Sequence, residues 1–122
     1  MTLYTAEGMK TQLRIDLRAA MKERRTNEAK LLRTLVAAID NAEAPPIDTN
    51  HQTTEQLQFH DRSAEIERLA LTTAQVREVL VAELEERESA AVELSQVNRP
   101  EHADTLRSEA LIIKGYIQKI SI

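Results

Sequence analysis

No cysteine occurs among the 122 residues. That excludes a disulfide framework, a thiol nucleophile and any thiolate-bound metal. Tryptophan is absent too, and the only aromatic residues are Tyr4, Phe59 and Tyr116. The ring platforms on which many single-strand binders stack bases are therefore missing. Only two glycines and three prolines interrupt the chain, which leaves long stretches free of helix breakers. No apolar run approaches the ~18 residues of a membrane span. Residues 1–10 lack the apolar centre of a secretory leader. The expectation is a cytoplasmic protein with no membrane partner.

What remains is aliphatic and charged. The length suits one domain over 1–122, large enough to bury a core without staples. The net charge of −4 disfavours indiscriminate binding to phosphate backbones. It is unevenly spread. Residues 1–43 hold eight Lys/Arg against six Asp/Glu, 44–70 hold two against five, and 71–122 hold six against nine.

The apolar spacing predicts an all-α fold: two antiparallel helical hairpins, 1–43 and 72–122, joined by a long loop over 44–71. Together they form a four-helix bundle-like domain. A first helix is expected from Ala6 to Arg24, capped by Thr5, with Met9, Leu13, Leu17, Ala20 and Met21 as its apolar stripe. Thr26 or Asn27 is expected to cap a second helix reaching Glu43. Its stripe is Leu31, Leu32, Leu35, Ala38, Ile39 and Ala42, and Pro45 stops it. The 44–71 stretch has no sustained period. It holds His51, His60 and Phe59, and a short helix is expected near residues 64–69.

Thr72-Thr73-Ala74-Gln75 fits a capping box for a third helix running to Val97. Val76, Val79, Leu80, Leu84, Ala91 and Leu94 form its stripe. Arg87 interrupts it and is expected at the edge of the interface, stem buried and head in water. Asn98-Arg99-Pro100 reads as a stop followed by a start. In the fourth helix Ala103, Leu106, Ala110, Ile113, Ile117 and Ile120 make a heptad-like seam. Gly115 inside it suggests a close backbone approach or early fraying.

No constellation for catalysis is legible. There is no glycine-rich phosphate loop and no nucleophile elbow. None of the three histidines has a second ligand at zinc spacing. His60-Asp61 reads as a solvated loop pair, and His102 as a surface residue. The glutamates of the third helix (Glu78, Glu83, Glu85, Glu86, Glu88 and Glu93) spread around it as a solvated acidic surface. No catalytic residue, cofactor or metal is expected.

One pattern is sharper. Lys10, Arg14, Arg18 and Lys22 recur every four residues, with Arg24, Arg25 and Arg33 extending the patch. Like charges at this spacing repel on an isolated helix, so an anion should offset them. RNA phosphates, the acidic surface of the third helix, or another protein would each serve. Lys10, Arg14, Arg18, Lys22, Arg25 and Arg33 thus form a candidate face for RNA or an acidic partner.

The run Leu13-Arg14-Ile15-Asp16-Leu17-Arg18-Ala19-Ala20-Met21-Lys22 is followed by Leu32-Arg33-Thr34-Leu35-Val36-Ala37-Ala38-Ile39-Asp40-Asn41-Ala42-Glu43. Together they resemble the opening of the YqeY family, with its Ala-Met-Lys and Asn-x-Glu signatures. Leu71, Val76, Leu80, Glu83 and Arg87 resemble its third helix. Asn98-Arg99, Ala103, Leu106, Glu109, Ile112, Ile113 and Tyr116 resemble its last turn and helix. The likeness is to a short form without the tail-like C-terminal segment of longer members. Gln118 stands where proline is frequent, and Arg25 where an acidic residue is common. The resemblance implies an association with the tRNA-dependent amidotransferase, a carbon–nitrogen ligase with glutamine as amido-N donor, or with tRNA handling. It supplies no catalytic residue. The partners it implies are tRNA or amidotransferase components. The other reading is a helical protein–protein interaction module, for which a second copy of the chain is a candidate partner.

Overall fold

The computed structural model describes residues 3–45 and 69–120. Four α-helices lie among them: α1 (Ala6–Lys22), α2 (Thr26–Glu43), α3 (Thr73–Gln96) and α4 (Pro100–Gln118). They pair as α1 with α2 and α3 with α4, and α3 also packs on both helices of the first hairpin. The all-α fold of two hairpins is thus the observed one. Expectations for His51, Phe59, His60 and a helix near 64–69 fall outside the described residues, Leu69 apart.

Local chemistry sets the helix starts. The Thr5 hydroxyl accepts from the Gly8 amide, and Glu7 sits in the first turn where the dipole favours an anion. At α3 the capping box is complete. Gln75 N–H donates to Thr72 Oγ1 at 3.1 Å, and Thr72 N–H donates to Gln75 Oε1 at 2.9 Å.

Both hairpins turn the same way. Arg24 (φ 60°) and Asn98 (φ 59°) are left-handed. Around the first, Arg24 N–H reaches Met21 O and Arg25 N–H reaches Ala20 O; around the second, Asn98 N–H reaches Ser95 O and Arg99 N–H reaches Leu94 O. These are two Schellman closures, each followed at once by a new helix. This corrects two expectations. The first helix ends at Lys22, because Arg24 has left helical geometry. Arg25, not Thr26 or Asn27, occupies the cap position of α2, and it offers no side-chain cap bond.

The core is aliphatic. Met9, Leu13, Leu31, Leu32, Leu35, Ile39, Val76, Leu80 and Ile113 are fully buried, each contributing roughly 1.5–3 kcal/mol. Tyr116 and Ile120 close one end of it. Ala91, Ala103 and Ala110 are buried outside that cluster. Alanines are thus the buried apolar residues of the far part of the second hairpin, where Arg87–Glu109 and Arg107–Ser95 also join the two helices. Met21, placed in the α1 stripe on spacing, is instead 51% exposed. A Cβ built on Gly115 would meet nothing within 4 Å, and α4 runs on to Gln118. Neither close approach nor early fraying applies there.

Among the described residues the only extended pairing is an isolated parallel bridge, Tyr4 to Ile120, with Tyr4 N–H donating to Lys119 O at 2.6 Å. No helix among them is long and apolar enough to cross a membrane.

Candidate functional site: the basic end of the first hairpin

The cations of α1 divide into two groups for a geometric reason. At 3.6 residues per turn, each step of four drifts about 40° around the helix. The ridge starts beside α2 and winds away from it. Lys10 lies against α2, its side chain only 13% exposed, with Nζ 2.5 Å from Glu43 Oε2 and 3.5 Å from Glu7 Oε1. The hydrogen bond to Glu43 holds the Lys10 ammonium above its usual range, against the opposing effect of burial. Arg14 pairs with Asp40 at 3.4 Å. In the turn Arg25 is held by Glu23 at 3.3 Å and by Glu28. These three cations are neutralised within the chain.

The rest are not. Arg18, Lys22 and Arg33 are exposed and have no ion-pair partner among the described residues. Arg24 and Lys30 share that condition. Lys30 stands outside the every-fourth pattern, so spacing does not single it out, although it lies one turn before Arg33 on α2.

The antiparallel register that brings Lys10 to Glu43 and Arg14 to Asp40 leaves Met21 near Arg33. There Met21, Arg24, Thr26, Ala29 and Arg33 line an open depression of about 320 Å³. One end of the α1–α2 seam is thus closed by ion pairs, and the other opens on unpaired cations around an exposed methionine.

Other polar groups hold helices together. Tyr116 donates to Asp16 Oδ2 at 2.5 Å, Gln12 Nε2 donates to Asp16 Oδ1 at 2.8 Å, and Tyr4 donates to Gln12 Oε1 at 3.1 Å. Burial, with Asp16 alongside, pushes the Tyr116 hydroxyl well above the ordinary tyrosine range. Sequence spacing passed over Tyr116, although it sits three residues after Ile113 and four before Ile120, on the seam.

Arg87 corrects a further expectation. Its head is not in water. It donates to the Glu83 carbonyl at 3.1 Å, to Glu83 Oε1 at 3.2 Å and to Glu109 Oε1 at 3.1 Å.

Among the described residues no group of three or more His, Asp or Glu side chains is placed to hold a metal ion. The arrangement defines a small all-α four-helix protein with exposed cations that lack ion-pair partners among the described residues at one end of its first hairpin. No family model matches the chain, and none of the curated proteins matches it.

Proposed function

We propose that this chain is a YqeY-like accessory protein that binds RNA of the tRNA kind, near the amidotransferase reaction, through the basic end of its first hairpin. The observation that carries this reading is the exposed set Arg18, Lys22, Arg24, Lys30 and Arg33, without ion-pair partners among the described residues, of which Arg24 and Arg33 line an open depression. Phosphates bind such a surface by counterion release, and the arginines offer planar forks for phosphate oxygens. Support from sequence is the resemblance of residues 13–22 and 32–43 to the YqeY opening, which includes Arg18, Lys22 and Arg33 of this surface. The protein supplies binding and positioning; any chemistry belongs to its partner.

The test is a tRNA shift assay across salt. Four phosphate contacts give a log–log salt slope of about −3 to −4. Arg18→Glu with Arg33→Glu is expected to abolish the shift, while Arg107→Glu, on α4, leaves it intact. Equal, negligible retention by wild type and double variant at low salt defeats the proposal.

A second reading has one observation in its favour. Met21 is exposed among the arginines, and phosphate has no use for it. An acidic amphipathic helix of a protein partner would cover both. Ribonuclease-resistant capture of one protein, lost on Met21→Asp, would favour that reading.

A further inference from the structure

We infer that the outer face of α3 in one copy docks on the basic end of the first hairpin in a second copy. The two surfaces are opposite in charge, and no ion pair joins them within one copy among the described residues. On α3, Glu78, Glu85, Glu86 and Glu93 are exposed, and no ion pair joins any of them to a cation among the described residues. The two other acidic residues of the helix, Glu83 and Glu88, are taken by Arg87 and Lys114. Val92 stands among the free carboxylates, 54% exposed.

The basic end is the counterpart in both charge and apolar content, with Met21 as exposed as Val92 and cations around it. Like-signed rows on one helix are unfavourable until an opposite charge meets them. Facing these two surfaces across copies relieves both. Complementary charges arranged in this way set orientation and speed encounter.

The two surfaces differ, so the contact is head-to-tail. Each copy keeps one free acidic face and one free basic end, and association is open-ended unless the rotation closes a ring. RNA bound at the basic end competes with it, but the inference stands without RNA, on the protein's own charges.

The experiment is sedimentation velocity on RNA-free protein over a concentration series, at low salt and at high salt. Wild type is expected to shift to larger species with concentration in about 20 mM salt, where the Debye length is about 20 Å, and to return to monomer in about 0.5 M salt. Arg18→Glu/Arg33→Glu and Glu85→Lys/Glu93→Lys change only exposed helical positions, and circular dichroism checks that each folds. Each variant alone is expected to remain monomeric. An equimolar mixture is expected to regain association, since it holds one good basic end and one good acidic face, and its two reversed surfaces are again opposite in charge. Monomeric wild type at about 1 mM and low salt overturns the inference, as does association that survives in both variants. Glu85→Lys/Glu93→Lys leaves the RNA surface untouched. Its tRNA shift therefore reports on the function proposed above separately from self-association.

Discussion

Replacing Tyr116 by phenylalanine removes one hydroxyl and leaves the ring in the core. The bond lost is short, 2.5 Å, and runs to the Asp16 carboxylate, with Tyr116 itself 8% exposed. Hydrogen bonds to charged acceptors contribute about 1.5–3 kcal/mol when buried. Asp16 is only half-buried and can recruit water, so the lower end applies, about 1–2 kcal/mol. In a chain of this size that is a fall of about 3–8 °C in thermal midpoint. The pH dependence is the sharper test. The hydroxyl's pKa is raised in the folded state, so the unfolded chain loses this proton first as pH rises. The contribution is therefore complete below about pH 10 and declines above it, at up to about 1.4 kcal/mol per pH unit. Tyr116→Phe has no such proton. Its deficit at pH 7 is expected to shrink above pH 10 and vanish by about pH 11. Urea unfolding of both proteins at pH 7, 9, 10 and 11 measures this. Stability curves that stay parallel across the series refute the coupling between burial of the hydroxyl and the α1–α4 contact.

Gly115→Ala is expected to raise stability by about 0.5–1 kcal/mol, read by thermal melts, because open space surrounds the position and its backbone is helical. Arg24→Gly relieves a left-handed non-glycine residue and is expected to stabilise by about 1 kcal/mol, while weakening any tRNA shift through the lost charge. Arg87→Ala strands Glu83 and Glu109 in a partly buried site and is expected to cost about 2–4 kcal/mol by urea unfolding; Glu109→Gln, which keeps a hydrogen-bond acceptor, should cost less. The Leu69 amide donates to the Glu43 carbonyl at 2.7 Å, so the chain comes back at 69 to where α2 ends. Exchanging residues 46–67 for a short glycine linker is expected to preserve cooperative unfolding of the two hairpins by circular dichroism.

The fold was legible wherever a side chain's partner lay one helical turn away. Thr72 and Gln75, Asn98 and Pro100, and the stripes through Leu35, Leu80 and Ile113 each carry their signal in local spacing. Two features are not local, and a third is local but carries no signal. Arg87 breaks a period, and only Glu109 on the neighbouring helix turns that break into a binding site for its head. Tyr116 falls on the seam by spacing, but the acceptor of its hydroxyl, Asp16, lies a hundred positions earlier. The left-handed turn at Arg24 carries no glycine or asparagine to announce it, so α1 ends at Lys22, two residues before the expected Arg24. The candidate site divides in the same way. Its every-fourth cations are plain in the sequence, but which of them stay free depends on where α2 lies.

That division follows from the mismatch between a four-residue step and a 3.6-residue turn. A ridge that repeated every 3.6 residues would stay beside α2 along its whole length and could be neutralised throughout. A step of four carries it around the helix, so only Lys10 and Arg14 remain within reach of Glu43 and Asp40. Arg18 and Lys22 are turned outward by the same drift. The two inner cations join α2 at the register that sets Lys10 against Glu43 and Arg14 against Asp40. That register in turn places Arg33 beside Met21 and Arg24 at the open end. The ion pairs at one end of the α1–α2 seam and the outward-turned cations toward the other are thus two consequences of one helical drift.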